Sequence, residues 1–170
     1  MKLKKVAISD INDLKNVCVA SYSKNYHDHW DGDGLDWYLD REFSIDRLST
    51  DLKDKNIDYY MIEYKLIKVG FIKINNKARS GIKNSIELEK IYLLPEFKGL
   101  GIGKLALNEI IIKATKRGIN SIFLDVIDTN QNAITFYNKL GFVCQGKTSL
   151  ELPKFKVELK GMYIMKKELK

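Results

Sequence analysis

Three groups of residues in this sequence could do chemistry. The first is Lys98-Gly99-Leu100-Gly101-Ile102-Gly103, followed directly by Lys104. Three glycines within five residues at a helix start let the backbone come close to a ligand. The first N–H groups of a helix have no acceptor within it, so they favour an anion, above all a phosphate. Lys98 and Lys104 add positive charge. The second group is Glu87 and Glu89, two residues apart on one expected strand and so on the same side of a sheet. The third spans residues 22–42, where Tyr22, Tyr26, Trp30 and Trp37 stand among Asp28, Asp31, Asp33, Asp36, Asp40 and Glu42. Aromatic faces beside carboxylates suit a cation on an aliphatic stem, such as a polyamine. His27 and His29 flank Asp28 at a spacing that fits no common metal signature, so no metal is expected and the segment reads as a pocket loop.

These groups need elements to hold them. Leu3 to Ile8 reads as a strand, and Asp10 as the cap of a helix reaching about Lys24, with Ile11, Leu14, Val17 and Cys18 on one face. Leu35–Phe43 and Ile45–Leu52 read as short helices after a loop. Tyr59–Tyr64 and Val69–Ile74 read as a hairpin, followed by a polar loop that contains Ser80-Gly81. Ile86–Leu94 reads as a strand stopped by Pro95. Ile102, Leu105, Ala106, Ile110 and Ala114 recur at helical spacing directly after the glycine turn, and Gly118 ends that helix. Ile122-Phe123-Leu124 has the continuous apolar character of a strand buried on both faces. Asn130 is expected to cap a helix carrying Ala133, Phe136, Tyr137 and Leu140 on one face, and Phe142–Gln145 and Met162–Met165 to close the sheet. The strand-helix-strand-helix-strand order of this half requires an α/β sheet with at least one parallel pair.

Bulk properties narrow the classes. One domain covering residues 1–170 is expected, with 45% hydrophobic and 30% charged residues, and no Pro-rich linker divides it. No apolar run approaches the roughly 20 residues of a membrane span. Met1-Lys2-Leu3-Lys4-Lys5 is basic but leads into no signal-like core, so a cytoplasmic protein is expected, with Cys18 and Cys144 as buried free thiols. The net charge of +7 could serve a nucleic acid, yet the lysines are scattered and aromatics do not interleave them, so no nucleic-acid partner is expected. A basic surface also suits a ligand with several phosphates. The glycine turn is neither GxxxxGK[ST] nor GxGxxG, which excludes the nucleotide P-loop and the dinucleotide fingerprint.

The stretch Ile91-Tyr92-Leu93-Leu94-Pro95-Glu96-Phe97-Lys98-Gly99-Leu100-Gly101-Ile102-Gly103 resembles the coenzyme-A loop of the GNAT superfamily of N-acyltransferases, whose pattern there is [Q/R]-x-x-G-x-[G/A]. Both late positions match; Lys98 stands where the pattern has glutamine or arginine. Lysine keeps the cation and loses the planar fork of donors. Downstream, Asn130-Gln131-Asn132-Ala133-Ile134-Thr135-Phe136-Tyr137-Asn138-Lys139-Leu140-Gly141-Phe142 resembles the N-x-x-A-x-x-x-Y-x-x-x-G-F segment of the same family. The resemblance covers residues 59–145 well and the first 55 loosely. It implies a mixed, mostly antiparallel sheet with one splayed parallel pair and helices on both faces.

The resemblance also implies roles. Ile91, Tyr92 and Leu93 would pair with the pantetheine arm of acetyl-CoA. Lys98, Gly99, Leu100, Gly101, Ile102, Gly103 and Lys104 would hold its pyrophosphate, and Asn130, Ala133 and Tyr137 would touch the cofactor. Tyr137 would be the general acid for the departing thiolate. An amine acceptor needs a base; Glu89 is the expected one, acting directly or through water, with Glu87 a position also used in the family. Tyr26, Trp30, Glu87 and Glu89 are the expected acceptor-binding residues. Early helices of this kind, with a Glu-x-Glu strand, also resemble bacterial spermidine/spermine acetyltransferase-type members. The expected function is therefore acetyl transfer from acetyl-CoA to a small primary amine such as a polyamine, by direct attack in a ternary complex and in a monomer or homodimer. Protein N-terminal acetylation and acyl-CoA binding for regulation are the alternatives.

Overall fold

The computed structural model describes residues 1–77 and 82–169; the expected Ser80-Gly81 turn lies outside them. A seven-stranded sheet runs β1 (Lys2–Lys5), β2 (Ile57–Tyr64), β3 (Ile67–Asn75), β4 (Ser85–Leu93), β5 (Ser121–Ile127), β7 (Gly161–Glu168), β6 (Val143–Ser149) in spatial order. Neighbours are antiparallel except β4 and β5, as the mixed-sheet expectation requires. The helices are α1 (Ile11–Tyr26), α2 (Gly34–Phe43), α3 (Ile45–Lys53), α4 (Ile102–Lys116) and α5 (Gln131–Lys139).

Two apolar layers hold the helices to the sheet. One joins Ile62, Val69, Ile72, Ile86 and Leu88 of the sheet to Ile102, Ala106, Leu107 and Ile110 of α4. The other joins Tyr59, Met61 and Phe71 to Leu14, Cys18 and Tyr22 of α1, Phe43 of α2 and Leu48 of α3. Removing a ring as deeply buried as Phe71 would cost about 3–5 kcal/mol. Strand β5 is buried along nearly its whole length, as its apolar run predicts. Cys18 is buried, but Cys144 is exposed, because β6 is the sheet edge and little covers it. The first strand is also shorter than expected: Ile8–Asp10 is a 3-10 turn, in which Asp10 accepts from the Ala7 N–H (3.0 Å) rather than capping α1.

Two irregularities in β4 create the site. Lys73 pairs with Lys90 and Ile74 with Leu88, so Glu89 is an extra residue, a β-bulge. Strand β4 also pairs with β5 only at Ser85–Ser121, Ile86–Ile122 and Glu87–Phe123. Beyond Glu87 the two parallel strands part, and a gap opens through the sheet.

Candidate active site

The gap is a cleft of about 660 Å³, bounded by residues 87–93 of β4 on one side and Asp125, Val126 and Ile127 of β5 on the other. Backbone groups line it because of ladder phase. Leu94 N–H donates to the Val69 carbonyl (2.9 Å), which makes Phe71–Tyr92 and Lys73–Lys90 the hydrogen-bonded pairs of β3 and β4. Ile91 and Leu93 therefore turn their N–H and C=O groups away from β3, toward the gap. The Leu93 carbonyl fits this, since it accepts from Asn25 Nδ2 of α1 (2.8 Å).

At one end of the cleft lies the glycine turn. Gly99 (φ +77°) and Gly101 (φ +76°) sit in the left-handed region, and a Cβ on either would meet nothing within 4 Å. The backbone there is open to a ligand. Gly101 is the N-cap of α4, and no side chain caps the helix. The N–H groups of Ile102, Gly103 and Lys104 precede the first helical bond, Leu105 N–H to the Gly101 carbonyl (3.1 Å). No acidic residue occupies the first turn. This terminus fits a phosphate in chemistry and in space. The N-terminus of α5 is different, because Asn130 caps it by accepting from the Ala133 N–H (3.1 Å). Its amide nitrogen is left for other partners.

Tyr137 lines the cleft from α5, packed edge-on against Phe136 and Phe142. Burial, with a smaller push from Tyr26, raises its hydroxyl well above the ordinary tyrosine range. It stays protonated at neutral pH.

On the opposite side of the sheet the cleft ends in an aromatic wall. Tyr22 stacks on Tyr38 (4.5 Å) and Tyr26 (5.0 Å), and both Tyr22 and Tyr26 meet the edge of Tyr92 at 5.4 Å. Leu150, Leu152 and Phe155, from the segment between β6 and β7, complete it with Met162. Among the described residues, three carboxylates line the cleft: Glu87, Glu89 and Asp125. Both oxygens of Glu89 are engaged, Oε2 by Lys73 Nζ (2.8 Å) and Oε1 by Asn75 Nδ2 (2.9 Å). Lys73 is 2% exposed and also pairs with Asp51.

The structure thus gathers Ile91, Tyr92, Leu93, Lys98, Gly99, Gly101, Ile102, Gly103, Lys104, Asn130, Ala133, Tyr137, Tyr26, Glu87 and Glu89 around one cleft. Leu100 stands exposed outside its lining. Trp30 is a correction: it is 6% exposed, packed on Tyr38 and Phe155, and belongs to the core behind the wall. The acidic run is a second correction. None of Asp28, Asp31, Asp33, Asp36 and Asp40 reaches the cleft. Asp33 pairs with Lys154, and Glu42 with Lys90 (3.0 Å). Sequence reasoning missed Asp125 and Asn25. A lone carboxylate inside the apolar run 121–127 was the signal for Asp125; nothing local marked Asn25.

Comparison with known proteins bears on the fold and the family. Over 86 residues the chain is 35% identical to an uncharacterized N-acetyltransferase of Methanocaldococcus jannaschii, covering 49% of this chain and 38% of that protein. The chain thus spans under half the length of such curated relatives. It is 26% identical to a spermidine N(1)-acetyltransferase of Thermoplasma acidophilum, over 84% of this chain and 88% of that one. The crystal structure of the PaiA N-acetyltransferase of Thermoplasma acidophilum in complex with coenzyme A superposes with a TM-score of 0.76 over 98% of both chains, at 23% identity. Residues 12–142 match the acetyltransferase (GNAT) family, and the chain belongs to it.

Proposed function

We propose that this protein moves an acetyl group from acetyl-CoA to a small primary amine, a polyamine or a close analogue, by direct attack in a ternary complex. The observation that carries this reading is the cleft through the sheet, with the open glycine turn at one end and the tyrosine wall with its carboxylates at the other. The name of the Thermoplasma spermidine N(1)-acetyltransferase supports the choice of acceptor.

Acetyl-CoA would supply the acyl group as a thioester. The amides of Gly99 to Lys104 hold its phosphates, and the cleft-facing groups of Ile91 and Leu93 align the arm as an added strand. An Ile91 or Leu93 N–H can donate to the developing oxyanion. The tyrosine wall and Asp125 hold the cationic stem of the acceptor. Glu87, at the point where β4 and β5 part, takes the proton that the attacking nitrogen loses. Glu89, tied to Lys73 and Asn75, holds the bulged strand in shape. Tyr137, protonated at neutral pH, returns a proton to the leaving thiolate.

The test is thiol release with spermidine, spermine, simple diamines, aminoglycosides and short peptides. Turnover with di- and polyamines is expected. Turnover with peptides alone would overturn the acceptor assignment in favour of N-terminal acetylation. Tight coenzyme binding without turnover on any amine would favour a regulator.

A further inference from the structure

We propose that Asn25 is a positioning residue for the donor substrate: it holds the Lys98 ammonium at the mouth of the cleft, where it meets the pyrophosphate at the glycine turn. This rests on the reading of the cleft as a coenzyme-A site.

Lys98 is the one departure of the glycine turn from the family pattern. A lysine there is a point charge on a flexible stem, without the fork that orients arginine. Unheld, it would sample many positions and lose entropy on meeting a phosphate. Asn25 supplies the missing constraint. Its Oδ1 accepts from Lys98 Nζ. Its Nδ2 donates to the Leu93 carbonyl at the end of β4 (2.8 Å) and to the Ser21 carbonyl one turn back on α1 (2.7 Å). Both ends of the amide are thus used, which fixes its orientation. An ammonium has three donors; Asn25 uses one and leaves two for phosphate oxygens. Burial lowers the pKa of Lys98 from its ordinary value, in keeping with an ammonium drawn in toward the protein. Asn25, Lys98, Gly99 and Gly101 line the same cleft.

A second link runs parallel to it. Lys24, the residue before Asn25, pairs with Glu96 (3.1 Å) in the turn that leads into Lys98. Tyr22 and Tyr26, on the same end of α1, form the acceptor wall. The end of α1 therefore carries both the holder of the phosphate cation and the acceptor surface.

The experiment is calorimetric titration of the unliganded protein with coenzyme A, beside KM values for acetyl-CoA and for S-acetylpantetheine, which lacks the pyrophosphate. Asn25→Ala and Lys98→Ala are each expected to weaken coenzyme A about tenfold. Their loss in KM should be smaller for S-acetylpantetheine than for acetyl-CoA, and the double variant should be no weaker than the weaker single one. If Asn25→Ala does not fold, Asn25→Gln keeps the amide while displacing its oxygen and should reproduce the loss. Unchanged coenzyme A affinity in the Asn25 variant would overturn the proposal, as would multiplied losses in the double variant or an equal loss with S-acetylpantetheine. No heat from coenzyme A with the unaltered protein would instead remove the site reading on which the proposal rests.

Discussion

Lys73 Nζ lies 2.8 Å from Glu89 Oε2 and 2.9 Å from Asp51 Oδ2, in a layer where Lys73 and Asp51 are both buried. One cation thus joins the bulge of β4 to helix α3. Burial alone would push the Asp51 carboxyl up; Lys73, the Tyr59 hydroxyl and Arg47 outweigh it and leave the carboxyl below its ordinary range. Lys73→Met would remove the buried cation shared by two carboxylates, leaving Asp51 to Tyr59 and Arg47 and Glu89 to Asn75. A loss of about 3–5 kcal/mol is expected, which for a chain of this size lowers Tm by very roughly 6–20 °C at about 2–4 °C per kcal/mol. Thermal denaturation measures it; a Tm unchanged within 2 °C, at about half a kcal/mol by the same conversion, would show the cluster to be ornamental.

The same geometry separates the two glutamates. A carboxylate whose oxygens already accept from a buried ammonium and an amide must give up a bond to take a proton. Glu87 stands where β4 and β5 part and lines the cleft, so Glu87→Gln is expected to lower kcat about a hundredfold. Glu89→Gln should lower Tm, with a loss in kcat below about tenfold. The reverse pattern would return the proton-accepting role to Glu89.

The half of the cleft proposed for the donor was legible in the sequence because it is local. A glycine turn, a capped helix and an apolar strand each depend on neighbours in the chain, and the strand, turn and helices that carry residues 91–104 and 130–137 form where the pattern puts them, with Leu100 outside the cleft lining. The half proposed for the acceptor was illegible for the opposite reason. Tyr22, Tyr38, Asp125 and Phe155 line one cleft only after three elements and the segment between β6 and β7 pack together. Charge pattern misled, since the aspartates of residues 28–40 are dense in sequence yet do not reach the cleft. Trp30 looked like a pocket residue by type and is a core residue by position. The bulge at Glu89 and the early parting of β4 and β5 depend on pairing partners, which sequence periodicity does not report.

Tyr137 has a pH signature as well as a rate effect. Its raised pKa means that the folded protein keeps this hydroxyl protonated past the ordinary value near 10. The rate should therefore rise with pH as the amine loses its proton and show no descending limb from Tyr137 below about pH 10. Tyr137→Phe should lower kcat about a hundredfold or more while leaving coenzyme A affinity within about twofold, under half a kcal/mol. An unchanged kcat would remove it as the acid.

Alkaline stability follows from the same chemistry across the aromatic layer. Burial raises the pKa of Tyr22, Tyr26, Tyr38, Tyr59, Tyr60, Tyr92 and Tyr137 above the ordinary 10. These groups hold their protons in the folded chain and release them near pH 10 in the unfolded one. Their contribution is whole below pH 10 and is lost as the pH rises above it, because the unfolded state then binds fewer protons. Between its unfolded and its folded pKa, each such tyrosine removes up to about 1.4 kcal/mol per pH unit. Seven acting together should make Tm nearly flat to about pH 9 and fall steeply above about pH 10. In a chain with Tyr64 and Tyr163, the two tyrosines outside this set, changed to phenylalanine, tyrosinate absorbance should rise together with unfolding and not before it. A gradual tyrosinate signal near pH 10 in a chain that stays folded would mean that the wall of the cleft is open to water.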